Sequence, residues 1–323
     1  MNPAGGYPKY GRSSQRRLKQ DPIVGKALTR LQRSNGSLFV RFCCSTAWNR
    51  MGFLIVLLSL AVTFPAHAAT LLDGDPVQGG LIFGQTEPGN RVSLAGEPVM
   101  VSDQGLFVFG FGRDETGRKT LRVLSSDGAE ELIELDILPR TFNIERVDGL
   151  PPSTVTPGPE VMQRIRDEAA MVAAARLRRD QRTDYADGFI WPATGRISGV
   201  YGSQRILNGE PRNPHYGLDI AAPTGHPVVA PADGVITLAH PDLYYSGGTI
   251  ILDHGQGLTS TFLHLSKILV AAGAEVKQGE LIAEIGATGR ASGPHLDWRM
   301  NWEKERVDPQ LLMQDVAMPD QAE

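Results

Sequence analysis

The segment Asn213–Pro223 constrains the chain most, because it combines metal-binding residue types with residues that oppose a helix. His215 and Asp219 stand four positions apart, a spacing that would place them on one face of a helix. Pro214 and Gly217 argue against that helix. In an extended segment alternate residues share a face, so the imidazole and the carboxylate again point the same way. The segment therefore predicts two ligands of a metal site on extended backbone.

Such a site needs a third ligand, and Ser292–Trp298 offers one. His295 and Asp297 lie two positions apart there, on a second extended run. Imidazole nitrogen and carboxylate oxygen are both ligands that zinc takes. His264, in a third apolar run, supplies a candidate general base. Together these residues predict a zinc hydrolase.

Charge is distributed unevenly along the 323 residues. Residues 1–50 carry ten Lys or Arg and one acidic residue, and residues 51–68 carry neither. The remaining 255 residues therefore hold 22 basic and 35 acidic groups, a net charge of −13. The negative net charge of residues 69–323 gives no electrostatic support for nucleic-acid binding.

Residues 1–68 are expected to be a leader that contains a secretory signal. The apolar core Gly52–Phe64 is shorter than the ~20 residues of a membrane span, and Pro65–Ala69 is typical of a cleavage site after Ala68. The core begins late, which indicates either an over-extended start or a long basic leader. Because Cys43 and Cys44 precede the cleavage site, the mature chain is expected to have no disulfides. No lipid-attachment cysteine follows the apolar core, so we expect an exported protein without a lipid anchor.

Residues 69–148 show short alternating runs separated by turn residues, and so predict a small antiparallel β domain. This region has no His or Cys, so a positioning, autoinhibitory or structural role is expected rather than a catalytic metal. Residues 149–188 hold a Pro-rich linker and one predicted helix, Glu160–Arg182, with arginines in its last turns. Five runs are strand candidates: Leu81–Phe83, Arg91–Leu94, Leu106–Phe109, Leu121–Leu124 and Leu132–Leu138.

Residues 189–313 form a second β-rich domain, followed by a tail at 314–323. Thr249–Asp253 and Leu258–Leu265 flank a turn at His254 and predict a hairpin. Gly234–Ile236 and Glu280–Ala283 are further strand candidates. No strand alternates with a long helix here, which excludes a parallel α/β sheet and leaves a mostly β protein.

Six motifs occur in order along this second domain. They are Tyr201–Arg205, His215–Asp219, Ala230–Gly234, Asp253–Gly255, Phe262–Ser266 and Gly293–Asp297. Their order resembles the lysostaphin/LytM-type zinc metalloendopeptidases, which cut peptide cross-links in bacterial peptidoglycan. The resemblance covers about residues 189–309. The layout of signal, small β domain, helix and peptidase domain also resembles the periplasmic Gram-negative members, which implies a periplasmic location.

The resemblance implies an antiparallel peptidase domain, one zinc ion and peptidoglycan stem peptides as substrate. His215 and Asp219 match the first two zinc ligands of the family. His264 and His295 match two histidines that do not bind the metal; they activate the water and stabilise the oxyanion. Arg205 matches an arginine of the substrate groove.

Asp297 departs from the family's last motif, His-x-His, in which the second histidine is the third ligand. Aspartate is also a zinc ligand, and its position on the strand still aims it with His295. Two carboxylates would cancel the charge of Zn²⁺, so a water at the metal is expected to have a pKa above the ~7 of typical catalytic zinc. The oxygen-richer set also favours harder metals such as Mn²⁺.

Two rival functions stay open. Asp297 favours a non-catalytic LytM-type regulator that activates a cell-wall amidase, whereas the intact His215, Asp219, His264 and His295 oppose it. A carrier module of the barrel-sandwich type is the second rival. It is disfavoured by export and by its need for an attachment lysine at a hairpin tip. A regulatory envelope protein is a further possible partner, and occlusion of the groove by the N-terminal domain is left open.

Overall fold

The computed structural model describes residues 69–147, 161–207 and 209–319. The predicted leader, with Gly52–Phe64, Cys43 and Cys44, lies outside the described residues, as does the Pro-rich linker between 148 and 160. Within these ranges, no helix is both long enough and apolar enough to cross a membrane.

The N-terminal region is built from antiparallel strands, as predicted. One sheet has the order β1-β2-β5 and a second the order β4-β3-β6-β7. Phe107, Phe109 and Leu121 fill a core between them and are fully buried. The strands are β1 (Leu71–Asp73), β2 (Leu81–Gln85), β3 (Arg91–Leu94), β4 (Glu97–Val99), β5 (Leu106–Gly110), β6 (Gly117–Leu124) and β7 (Glu130–Ile137).

A helix follows the linker, but it is shorter than predicted. Helix α1 spans Met162–Ala175, and no basic residue lies in its last turn. The prediction that the helix continues to Arg182 was wrong. Arg182 instead forms ion pairs with Asp180, Asp184 and Asp253. Helical periodicity alone did not reveal this competing network on the peptidase domain.

The C-terminal region contains a large antiparallel sheet with the order β17-β14-β15-β16-β19-β12-β9. Strand β20 pairs with β19, and β18 pairs with both β13 and β16. Its strands are β9 (Arg196–Gly199), β12 (Leu218–Ala221), β13 (Pro227–Val229), β14 (Gly234–Leu243), β15 (Gly247–Asp253), β16 (Leu258–Ile268), β17 (Glu275–Val276), β18 (Leu281–Ile285), β19 (His295–Trp302) and β20 (Glu305–Val307). The hairpin of β15 and β16 and the mostly β fold are confirmed.

The chain ends its described part with a short helix, α2 (Pro309–Leu312), which is capped by Asp308. Beyond it, the carbonyl of Val316 accepts a hydrogen bond of 2.8 Å from the indole of Trp191. This contact packs the end of the chain against the start of the C-terminal region.

One strand pair joins the two regions. Strand β8 (Ile144–Val147) lies parallel to β10 (Gln204–Leu207), which also pairs with β11 (Glu210–Pro211). Among the strand pairs of the described ranges, only this one is parallel.

The two faces of the large sheet differ in character. Trp298, Leu218 and Phe262 point into the main hydrophobic core and are fully buried. Because side chains alternate along a strand, Asp219 and Asp297 point to the opposite face. This second face, which we call the site face, carries the candidate chemistry.

Helix α1 also packs on the site face. Its Val172 and Ala175 contact Leu238, Leu243 and Ile251. Ile251 lies opposite Thr261 in the next strand, and directly opposed residues share a face. The helix therefore lies beside the strands that carry the candidate site.

Candidate metal centre

The register of two strands brings the candidate carboxylates together. Asp219 on β12 lies directly opposite Asp297 on β19. Directly opposed side chains in an antiparallel pair are about 5 Å apart at Cβ. His215 precedes β12 on loop backbone, and its Nε2 lies 3.1 Å from Oδ1 of Asp219. One ligand atom from each of the three residues lies within 4.8 Å of the others.

Two polar atoms of this cluster, one on His215 and one on Asp219, form no hydrogen bond. Nε2 of His215 and Oδ1 of Asp219 are buried, and neither forms a hydrogen bond of acceptable geometry. An unpartnered buried polar atom is costly. A divalent ion between these atoms would satisfy both, so the residues present fit a metal.

Two glycines make room for the carboxylates. A Cβ at position 217 would collide with Oδ1 of Asp297, and a Cβ at position 199 would collide with Oδ2 of Asp219. Gly199 and Gly217 are therefore required by the close approach of these side chains rather than by turn geometry.

Asp297 is held by a neighbour on its own strand. Arg299 Nη2 donates to Oδ2 of Asp297 at 2.5 Å, and Arg299 Nε lies 3.0 Å from each carboxylate oxygen. Burial alone raises the pKa of the Asp297 carboxyl, but Arg299 outweighs burial and holds the pKa below its usual range. The expectation that two carboxylates cancel the zinc charge must therefore be revised, since Arg299 offsets one of them.

The protonation of His215 follows from the same charges. Burial lowers the pKa of its imidazole, but the neighbouring Asp219 and Asp297 carboxylates outweigh burial and leave the pKa above its ordinary value. Metal binding requires the neutral imidazole, so a divalent ion and a proton compete for this nitrogen.

His264 is oriented as a base. Its ring Nδ1 lies 2.8 Å from the carbonyl of Thr288, and because a carbonyl only accepts, Nδ1 carries the proton and Nε2 is free. Burial lowers the pKa of His264, which keeps it neutral near pH 7. Its backbone has a φ of 65°, a conformation that is strained for a residue other than glycine. His264 lies within β16, where the pairing with β15 changes register between Phe262 and Leu265.

His295 stands beside it. The two imidazole rings are 4.8 Å apart between centroids. Nδ1 of His295 lies 2.8 Å from the carbonyl of Gly293, so its Nε2 is also free, 3.9 Å from Oδ1 of Asp219. Both free nitrogens thus belong to the same small region as the three candidate ligands.

Comparison with known proteins agrees with this geometry. The sequence pattern of peptidase family M23 matches residues 213–309. A crystal structure described as a peptidase M23 from Pseudomonas aeruginosa is 32% identical and superposes with a TM-score of 0.56. The match covers 74% of this chain and 95% of that one. The chain belongs to peptidase family M23.

Curated relatives of the chain include two bacterial proteins. Peptidoglycan DD-endopeptidase ShyA of Vibrio cholerae is 43% identical over 108 residues, which are 32% of this chain and 24% of ShyA. Cell division protein DipM of Caulobacter vibrioides is 31% identical over 165 residues, which are 49% of this chain and 26% of DipM. The chain thus spans about a quarter of the length of these relatives.

The remaining predicted residue, Arg205, lies on β10, outside the large sheet. Its role in a substrate groove stays a prediction. His215, Asp219, His264, His295 and Asp297 are all brought into one region of the site face, although their roles also stay predictions.

Sequence reasoning missed the partner of Asp297 in this centre and the burial of one histidine elsewhere in the sheet. Arg299 follows Asp297 by two positions on an extended run, so shared-face spacing was the available signal. His254 was interpreted as a turn residue, but it is fully buried: its Nδ1 lies 2.7 Å from the Asp233 carbonyl and its Nε2 lies 2.9 Å from Oγ of Ser260. Burial lowers the pKa of His254 to about 4.

Proposed function

We propose that this chain is an exported zinc metalloendopeptidase that hydrolyses peptide cross-links of peptidoglycan in the periplasm. The observation that carries the proposal is the cluster of His215, Asp219 and Asp297, with two buried unpartnered atoms, beside two imidazoles with free nitrogens. The name of ShyA, a peptidoglycan DD-endopeptidase, supports the substrate class.

His215, Asp219 and Asp297 would hold the ion. Zinc at this position supplies a Lewis acid that polarises the scissile carbonyl and lowers the pKa of the attacking water. Arg299 keeps Asp297 ionised and oriented. Gly217 leaves the space in which that carboxylate lies.

His264 would take the proton from the attacking water through its free Nε2, because Nδ1 is occupied by the Thr288 carbonyl. His295 would stabilise the negative charge that develops on the carbonyl oxygen, again through a free Nε2. The proton held by His264 would then pass to the leaving amine.

Digestion of purified sacculi by the protein, with analysis of the released muropeptides, tests the proposal. Zinc-loaded protein should release products of cross-link cleavage. Asp219→Ala should lose both bound zinc and activity, whereas Arg118→Gln, a change in an exposed pair of the N-terminal region, should alter neither. Sacculi left uncleaved by zinc-replete wild type would refute an endopeptidase.

The rival reading as an amidase regulator has one specific observation in its favour, the occupation of both Asp297 oxygens by Arg299. A carboxylate offers about four lone pairs, so these bonds leave room for a metal. Zinc stoichiometry separates the two readings: one ion per chain supports the enzyme, and none supports the regulator.

A further inference from the structure

Arg306 stands at the edge of the metal centre with its guanidinium held in place. The guanidinium carbon lies 4.2 Å from the ring centre of Tyr216, the residue that follows His215. The backbone of Arg306 is fixed as well, because its carbonyl accepts a hydrogen bond of 2.6 Å from the hydroxyl of Tyr201. A stacked guanidinium is pre-organised for recognition of a planar anion.

Arg306 has no counter-charge. No carboxylate of residues 69–147, 161–207 or 209–319 lies within 4.0 Å of it. The same is true of Arg176, which ends helix α1: its Nη2 donates to Oγ1 of Thr261 at 3.0 Å, while its Nε is buried without a partner. Burial lowers the pKa of Arg176 only to about 10, so it stays charged at neutral pH.

Strand register places these cations on the site face. Arg306 lies opposite Asn301, two positions beyond Arg299 on β19. Arg299 lies opposite Thr261, the residue that binds Arg176. Of these three guanidiniums, Arg299 alone is neutralised, by Asp297. Two positive charges without an ion pair in the described ranges therefore remain on the site face of a protein whose residues 69–323 carry a net charge of −13.

A cleft of about 710 Å³ opens on Arg306 and Tyr216, so this cation is accessible to a ligand. The far side of the cleft carries acidic residues of the N-terminal region. Asp114 is paired with Arg113 and Glu115 with Lys119. Glu305, next to Arg306 on β20, also lines the cleft and forms no ion pair among the described residues, so Arg306 is distinguished by its exposed, stacked guanidinium and not by the net charge of the cleft.

We propose that Arg306, stacked on Tyr216 and backed by Arg176, binds a carboxylate of the substrate in this cleft. The ligand class is a peptide with a free carboxylate, which the planar fork of arginine engages through two parallel hydrogen bonds. The proposal rests on the proposed function for its substrate. It adds a specificity determinant on β20, a strand without a predicted site residue.

Equilibrium binding by calorimetry tests the subsite without any turnover. The probes are a cross-linked stem-peptide dimer with free carboxylates and the same dimer with these carboxylates amidated. Wild type should bind the free form about tenfold more tightly, the lower range for a hydrogen bond between charged groups. Arg306→Gln should bind both forms alike, and Arg306→Lys should recover part of the preference. Arg118→Gln should keep the full preference.

The kinetic readout follows the same logic. Arg306→Gln should raise KM for the free dimer by about tenfold and leave kcat within about twofold, because the carboxylate contact is equal in ground and transition states. Equal binding of the free and amidated dimers by wild type would refute the proposed subsite, and this comparison requires no variant. If the preference is present but no dimer is cleaved, the subsite stands and the endopeptidase proposal fails. If wild type cleaves the dimers but binds both forms equally, the endopeptidase proposal stands and the subsite fails.

Discussion

Replacing Arg299 by Met should destabilise the metal-free protein, because Asp297 would remain buried without its partner. The side chain of Asp297 is 3% exposed and that of Arg299 is 31% exposed. Removing one partner of a buried ion pair costs about 3–5 kcal/mol of unfolding free energy, and the partial exposure of Arg299 places the expected loss near 3 kcal/mol. For a domain of this size, that corresponds to a fall of about 6–10 °C in Tm.

Calorimetric melts in EDTA and in excess zinc measure this effect. In EDTA the variant should melt well below wild type. In zinc the difference should narrow, since an ion beside Asp297 replaces the lost positive charge. The double variant Asp297→Asn with Arg299→Met should melt above Arg299→Met alone in EDTA, because no unpaired charge is left.

Two results would refute this reasoning. A loss of less than about 1 kcal/mol of unfolding free energy in EDTA would mean that the Asp297–Arg299 pair stabilises the protein no more than an exposed salt bridge does. A difference in Tm between Arg299→Met and wild type that is larger in zinc than in EDTA would show that Arg299 chiefly orients Asp297 for the metal. Arg118→Met, in an exposed pair of the N-terminal region, is the matched control and should change Tm little.

Three further predictions concern the surrounding residues. His264→Ala should retain one zinc per chain and lose activity by about 10²–10⁴-fold, as expected for a general base; loss of the metal would show that His264 is a ligand. Gly217→Ala should lower zinc affinity in a chelator competition, because the new Cβ collides with Oδ1 of Asp297; unchanged affinity would contradict that cause. His254 binds protons less readily when folded, with a pKa of about 4 against an ordinary 6.5, so stability should be full above pH 6.5 and fall by about 3 kcal/mol towards pH 4. Tm measured against pH for His254→Asn should show a weaker acid loss than wild type, and an identical pH profile would contradict the role of His254.

Local pattern was sufficient for five of the seven strands β1–β7, since β1 and β4 were not among the candidates, and for the hairpin of β15 and β16. The alternating runs of the N-terminal region and the hairpin at Asp253 can be recognised from residues that are adjacent in sequence. The same local reasoning failed beyond Ala175, where helical periodicity continues but the chain leaves the helix. There, contacts of Arg182 with Asp253, 71 residues away, replace the helical turn.

The candidate site was predictable in its residue types and less so in its electrostatics. His215, Asp219 and Asp297 were identified by spacing and by family resemblance, and the register of β12 with β19 brings the two carboxylates face to face. The partner of Asp297 was not identified. The sequence analysis counted only the candidate ligands and omitted Arg299, which follows Asp297 by two positions on the same strand. Its positive charge changes the net charge around a bound ion.

The amino-acid sequence by itself determined which groups are available and which segments are extended, because both depend on neighbouring residues. Only the tertiary structure decided which of those groups are paired. Arg299 is neutralised by Asp297, whereas Arg306 and Arg176 lie on the same face and form no ion pair with a carboxylate of the described residues. That difference depends on register between strands and on the docking of α1, contacts between positions as much as 85 residues apart.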